Sequence, residues 1–307
     1  MPLFSVIIPT FNRANLLAAT LDTVFAQRFK NFEVIVVDDG STDGTMEMLR
    51  HYGDRVRVAT QDNRGPGAAR NLGAEAARGQ YLAFLDSDDL WFPWTLDVYA
   101  SVVIGTPAPA FIAGKPAVFQ DPAQLATQVE GPIQALKFPD YYASAAEWRW
   151  YSASSFVIRA GAFRQAGGFA PVWINGEDAD LAMRLGTLGG FVQVTAPATF
   201  AYRDHRGSLV SQTRRSLEGA RYALRMEQRH KYPGGAERAR ERRSILTRQL
   251  RPVMLTCLHE RQFAEGWQLY LSTWSWHLSL GRMRFLIGFP VQALLAAFRS
   301  HPRERAA

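Results

Sequence analysis

A single cysteine, Cys257, in a chain of 307 residues excludes an internal disulfide framework and fits a reducing compartment. No run of about 18 uninterrupted apolar residues occurs, so no spanning helix is expected. The N-terminal MPLFSVIIP lacks a basic segment followed by an apolar stretch and a small-residue cleavage site. It reads as the start of a strand, and a cytoplasmic location is the expectation. No repeat of solenoid length is visible. The first strand is followed by Pro9-Thr10-Phe11-Asn12-Arg13-Ala14, not by Gly-x-Gly-x-x-Gly, which argues against a dinucleotide-dependent oxidoreductase. Gly65-Pro66-Gly67 follows neither of the first two strands and lacks the third glycine. The glycine-rich basic loop usual in nucleotidyltransferases is missing as well.

What is present is ordinary for a soluble globular chain, with 47% hydrophobic and 21% charged residues. That is enough for one large domain, or one domain with an appendage. The net charge of +7 is unevenly distributed. From Arg214 onward there are 18 Lys+Arg against 7 Asp+Glu, a net of +11, which leaves the first 213 residues at −4. Basicity of this kind draws phosphates or anionic membrane surfaces and says nothing about fold.

The front part alternates strands and helices. Apolar Leu3–Ile8 ends at Pro9 as a buried strand, and Leu17, Leu21, Val24 and Phe25 recur at helical spacing over 14–27. Strands follow at 33–37, 55–59 and 80–85, with helices at 44–52 and 66–78. This pattern implies an α/β fold with a mostly parallel sheet covered on both faces. Between 100 and 150 prolines loosen the pattern, and only Pro122–Leu136 suggests a helix. A strand is expected at 155–158, a charged helix at 176–186, and helices at 216–230, 237–258 and 261–279. Residues 1–213 form one expected domain, divided near 99, and 214–307 a basic helical region.

Three strand ends carry polar residues suited to a site. Phe84-Leu85-Asp86-Ser87-Asp88-Asp89 closes the fourth strand, where ligands bind open parallel sheets. Asp86 and Asp88 can leave an extended chain on the same side, and such oxygen donors suit Mg²⁺ or Mn²⁺ shared with a diphosphate. Helix capping and solvated loop charge account for the same residues about as well. Asp38-Asp39-Gly40-Ser41 follows the second strand, where an Asp can accept from a ribose hydroxyl or a base N–H. A polar turn is the alternative there. Pro9-Thr10-Phe11 follows the first, where Thr10 and Phe11 are placed to line the same crevice; a satellite of the core is the alternative for Phe11.

Ser5–Asn12, Val37–Thr45, Ala69-Arg70-Asn71-Leu72-Gly73 and Phe84–Asp89 resemble, in order and spacing, the nucleotide-binding half of family 2 glycosyltransferases. The match is close over 3–95 and looser to about 212. The resemblance implies a GT-A fold, a Rossmann-like sheet with flanking helices, here joined to a helical C-terminal region. It also implies an inverting, metal-dependent transfer. Asp39 would contact the nucleotide, with Pro9 and Phe11 lining the base pocket. Asp88 would ligate Mn²⁺ or Mg²⁺, with Asp86 supporting the metal or donor sugar and Arg70 near the donor, a structural salt bridge being the alternative for Arg70. Trp173-Ile174-Asn175-Gly176-Glu177-Asp178 resembles the family's Glu-Asp motif. Asp178 would then be the catalytic base, Glu177 an acceptor-binding or supporting group, and Asp180 structural. His205, in Tyr202–Ser208, resembles a residue that completes the metal or diphosphate site. Gly167-Gly168-Phe169-Ala170 departs from the family, with Ala where Asp is usual, which weakens inference about acceptor contacts there.

The implied donor is a nucleotide sugar, UDP- first and GDP- or TDP- as alternatives, and the implied acceptor a glycan or lipid-linked hydroxyl. A nucleotidyltransferase or a catalytically inactive nucleotide-binding scaffold are the competing classes. Apolar Phe285–Val291 and Ala293–Phe298, flanked by Arg282, Arg284 and Arg299, suit an anionic membrane interface on the inner face. Packing on the catalytic domain or on a second subunit, as a homo-oligomer through the C-terminal helices, is the other reading. No nucleic-acid module is recognised.

Overall fold

The computed structural model describes residues 1–147, 152–204 and 213–298. These fall into two compact units: one holds the described residues up to 204 except 174–176, and the other holds 174–176 with 213–298.

In the first unit every residue of β1 (Phe4–Thr10) is buried, because helices cover both faces of the sheet. Side-chain alternation divides the strand between them. Phe4, Val6 and Ile8 pack in one cluster with Leu17, Leu21 and Val24 of α1 (Ala14–Phe25). Ile7 faces α3 (Pro66–Ala76), a helix of small residues. A Cβ at Gly73 would stand 2.5 Å from Ile7 Cγ2, so the missing side chain is what lets this helix sit so close to the strand.

β2 (Phe32–Asp38) and β4 (Tyr81–Phe84) flank β1, both parallel to it. β3 (Arg57–Thr60) adds to β2, also parallel, after α2 (Thr45–Arg50). The chain moves outward through β2 and β3, then returns to the other side of β1. The carboxyl ends of β1 and β4 therefore border a topological switch point, the place where open α/β sheets bind ligands.

Beyond β4 the sheet becomes mixed. β9 (Phe156–Arg159) pairs antiparallel with both β4 and β6 (Phe111–Ala113). β10 (Phe191–Ala196) runs parallel to β6, and β8 (Gln134–Phe138) closes the eight-stranded sheet antiparallel to β10. A second, three-stranded sheet joins β5 (Leu90–Trp91), β11 (Phe200–Arg203) and β7 (Pro116–Phe119). The remaining helices of this unit are α4 (Thr95–Ile104), α5 (Ala160–Gln165) and α6 (Glu177–Arg184).

The helix expected over Pro122–Leu136 does not form. Asp121 starts a short 3₁₀ turn, Pro122–Thr127, through a reciprocal capping box with Gln124. Gly131 and Pro132 then break any continuation, and Gln134–Phe138 finds its hydrogen bonds on β10 instead.

The second unit is helical: α7 (Thr213–Gln228), α8 (Ala239–His259), α9 (Phe263–Ser279) and α10 (Met283–Phe298). Tyr270 stacks on Phe289 at 4.6 Å, and Trp267 meets the same ring edge-on. A buried ion pair ties Arg242 to Glu227 at 2.7 Å, and the guanidinium also donates to the carbonyls of Pro233 and Gly235. Burial of this pair is tolerated because its hydrogen-bonding capacity is largely used. No described helix is long and apolar enough to cross a membrane.

Candidate active site

Three short loops stand at the carboxyl ends of β1, β2 and β4, and the first two are laced together. Past β1, Asn12 adopts a left-handed backbone, φ 52°. Its amide donates to Ser41 Oγ at 2.8 Å, and its side-chain oxygen accepts from the Thr42 amide at 2.7 Å. Phe11, 41% exposed, projects from this loop, whereas Pro9 is buried within β1. Thr10 Oγ1 is buried at the strand end without a hydrogen-bond partner.

Past β2 the two aspartates divide. Asp39 is buried and its carboxylate is heavily used: Oδ1 accepts from Gln61 Nε2 at 2.6 Å and the Arg64 amide at 2.9 Å, and Oδ2 from the Gly65 amide at 2.8 Å. It clamps the loop that leads into α3. Asp38 accepts one bond, from the Ser41 amide to Oδ2, while its buried Oδ1 has no partner. A buried polar atom without a partner carries a desolvation cost, so Asp38 Oδ1 and Thr10 Oγ1 are suited to meeting a donor from a ligand. The sequence singles out Asp39 and places Thr10 with Phe11 along the crevice, but passes over Asp38. Two adjacent aspartates give no pattern-level signal for which one is free.

Past β4 the acidic turn is held rigidly. Asp89 is buried, accepting from Ser154 Oγ at 2.6 Å and the Arg203 amide at 3.0 Å. Burial pushes its carboxyl well above the usual carboxylate range, as do the nearby charges of Asp86 and Asp88. Ser154 Oγ also accepts from the Asp86 amide, Arg203 Nε donates to the Asp88 carbonyl, and Thr20 Oγ1 donates to the carbonyls of Ser87 and Asp89. Asp89 thus anchors the turn, and Asp86 and Asp88 remain partly exposed on it.

Arg70, on α3, joins this turn to the start of α6. It is almost fully buried, donates to Asp86 Oδ1 and, at 3.0 Å, to Glu177 Oε1, and its guanidinium lies 5.1 Å over the Phe169 ring. The guanidinium is thereby committed to two carboxylates, with only Nε lacking a partner. At the α6 N-terminus, Asp178 is half-buried and accepts from the Ala179 amide at 2.7 Å. Burial pushes its carboxyl up to about 7, with the neighbouring Glu177 charge adding to the shift and the Ala179 amide and Arg70 opposing it. Asp180 is buried and engages Arg184 at 2.8–2.9 Å.

Asp86 and Glu177 are thus brought together on one guanidinium, and Asp178 adjoins Glu177. His205 lies outside the described residues. Among the described residues no group of three or more His, Cys, Asp or Glu side chains is arranged to hold a metal.

Comparison with known proteins gives this architecture a family. The family model of glycosyl transferase family 2 matches residues 5–150. Validoxylamine A glucosyltransferase of Streptomyces hygroscopicus subsp. jinggangensis is 32% identical over 218 residues, 60% of this chain and 51% of that protein. The putative teichuronic acid biosynthesis glycosyltransferase TuaG of Bacillus subtilis is 44% identical over 94 residues, 29% of this chain and 37% of that protein. Among solved structures, S. aureus TarS 1–349 in complex with UDP-GlcNAc has a TM-score of 0.61 at 21% identity, covering 82% of this chain and 73% of that one. The mannosyltransferase PcManGT of Pyrobaculum calidifontis, in complex with GDP-Man and Mn²⁺, has a TM-score of 0.57 at 18% identity, covering 96% and 86%. Residues 5–150 thus match glycosyl transferase family 2, and the fold is that of GT-A glycosyltransferases. The chain spans only 14% to 51% of the length of the curated relatives it matches.

Proposed function

We propose that the chain transfers a sugar from a nucleotide-sugar donor to a hydroxyl of a glycan or lipid-linked acceptor, inverting the anomeric carbon. One arrangement carries the reading. Asp86, on the turn after β4, and Glu177, at the start of α6, share the buried Arg70, and Asp178 adjoins them with its carboxyl raised to about 7. A raised carboxylate beside a site is what general-base chemistry near neutrality requires.

In this reading Asp178 accepts the proton of the attacking hydroxyl, and a single displacement releases the nucleotide from the opposite face. No covalent intermediate is needed, so no nucleophile is called for. Asp38 and Thr10 offer buried acceptors to the nucleoside at the switch point. Arg70 keeps the donor and acceptor carboxylates at a fixed separation.

The donor set suits a divalent cation. Asp88 and Asp86 supply hard oxygen ligands from a rigid turn, and Mg²⁺ or Mn²⁺ typically takes one or two protein carboxylates and completes its shell with phosphate oxygens and water. Such an ion, when bound, stabilises the charge developing on the leaving diphosphate. The UDP-GlcNAc of the TarS complex and the GDP-Man and Mn²⁺ of the PcManGT complex support a nucleotide-sugar donor here, UDP- first.

An anionic membrane surface is the proposed second partner. Ile287, Val291, Leu294 and Phe298 form an exposed apolar stripe on α10, and no acidic residue occurs between Glu265 and Glu304. Such a helix suits a negatively charged interface. Two copies pairing through it would instead bring like charges together.

The test is a panel of UDP-, GDP- and TDP-sugars scored by thermal stabilisation with and without Mn²⁺. One donor is expected to stabilise the protein in a Mn²⁺-dependent way, and Asp88→Asn should abolish the dependence. Stabilisation by none of them, or an Asp88→Asn response equal to wild type, would remove the respective assignment.

A further inference from the structure

Trp173 lies four residues before Glu177 and is 39% exposed. An indole is costly to leave in water, and this one is held in place. Gly65, at φ +89°, lies against its pyrrole ring: a Cβ there would stand 2.8 Å from Trp173 Cδ2 and Cγ and 3.0 Å from Cδ1. No residue with a side chain fits at 65 without displacing the ring.

Gly65 is itself fixed, because its amide and that of Arg64 donate to Asp39 at the end of β2. Two residues further on, a Cβ at Gly67 would stand 3.7 Å from Glu177 Cγ. One turn of α3 beyond that, Arg70 grips Glu177 and Asp86. The start of α3 thus seats the Trp173 indole at Gly65 and the Glu177 side chain at Gly67, two residues apart.

We propose that Trp173 is the platform on which the acceptor's pyranose ring stacks. This rests on the glycosyltransferase reading above. The C–H face of a pyranose is apolar, whereas its hydroxyls need polar partners. A flat, rigid aromatic surface beside carboxylates supplies both, in the manner of sites that combine apolar walls with a few placed polar groups. Trp173 and the base Asp178 stand on one short segment, so a ring lying on the indole is held near the group that takes its proton. The role favours the acceptor over the donor, because the indole's own segment leads into the base.

The experiment uses the full chain, the donor selected by the panel above, and p-nitrophenyl glucosides, galactosides, mannosides and N-acetylglucosaminides in both anomers as acceptors. Transfer and donor hydrolysis, with water as acceptor, are followed side by side. Trp173→Ala is expected to raise acceptor KM by roughly ten- to a hundred-fold, the range for truncating a central aromatic anchor. Its donor KM and hydrolysis rate should stay within about two-fold of wild type. Trp173→Phe should recover most of the loss, because it restores an aromatic face. Three results would overturn the platform: an unchanged acceptor KM in Trp173→Ala, an equal loss of hydrolysis, or a wild-type protein that hydrolyses donor and transfers to none of the glycosides. A wild-type protein that turns over no donor overturns the underlying glycosyltransferase reading instead.

Discussion

Replacing Arg70 with Met removes the cation that joins Asp86 to Glu177. The side chain is 4% exposed, its partners Asp86 and Glu177 are 28% and 13% exposed, and it holds both at hydrogen-bonding distance. Breaking one side of a buried pair typically costs about 3–5 kcal/mol, because the orphaned charge stays behind. Here both carboxylates retain some access to water, which places the expected loss near the lower end, about 3 kcal/mol. For a domain of this size each kcal/mol lowers Tm by roughly 2–4 °C, so a fall of roughly 6–12 °C is expected in calorimetry. The loss should be coupled to Glu177: in a double-mutant cycle, Glu177→Gln should cost markedly less in the Arg70→Met background than in wild type. Arg70→Lys keeps the charge but cannot fork between two carboxylates, and should recover only part of the stability. A Tm of Arg70→Met within a degree of wild type, or strictly additive effects of the two substitutions, would refute the bridge.

Three further outcomes follow from the geometry. With the Asp178 carboxyl raised to about 7, kcat/KM for transfer should fall about ten-fold per pH unit below that value, because a protonated base cannot accept the acceptor's proton. A flat profile from pH 8 to 5 would contradict it. In the helical unit His277 is fully buried, neither ring nitrogen has a hydrogen-bond partner, and Phe285 lies 4.5 Å away. Burial first, then Arg282 and Arg251, lower its pKa from 6.5 to about 4. The stability it contributes is therefore present above pH 6.5 and lost as pH falls from 6.5 to 4, up to about 3 kcal/mol at about 1.4 kcal/mol per unit. His277→Phe should flatten that limb in pH-dependent denaturation, and an unchanged limb would exclude His277. The full chain should co-sediment with vesicles containing anionic lipid, less at high salt, and Ile287→Asp with Leu294→Asp should release it. Equal sedimentation of both forms would defeat membrane docking.

Elements carried by local pattern were legible in the sequence. β1, β2 and β4 are short apolar runs with polar residues at their carboxyl ends, and α8 and α9 show through their composition. The second sheet was not legible, because Leu90–Trp91, Pro116–Phe119 and Phe200–Arg203 are brief segments whose partners lie up to about a hundred residues away. Pro122–Leu136 misled because the Asp121 cap starts a helical turn that Gly131-Pro132 cannot continue. Within the site, the acidic clusters were readable as clusters. The division of labour inside them was not: Asp89 is distinguished from Asp86 and Asp88 by Ser154 and Arg203, and Asp38 from Asp39 by Gln61, Arg64 and Gly65. Those partners come from other elements, so only the fold reveals them. Trp173 stands in a recognisable motif, but its seat on Gly65 has no signature in the sequence.

The central claim, that Asp178 is the base of a sugar transfer, is tested most directly by the turnover of Asp178→Asn. The amide keeps the size of the carboxylate and cannot take a proton at neutral pH. Transfer should fall about 10²- to 10⁴-fold, the usual contribution of a general base, while donor affinity measured by titration stays as in wild type, because the lost interaction belongs to the transition state. Asp180→Asn, whose native carboxylate is engaged with Arg184, should cost transfer far less. Transfer retained in Asp178→Asn, or donor binding lost with it, would contradict the account.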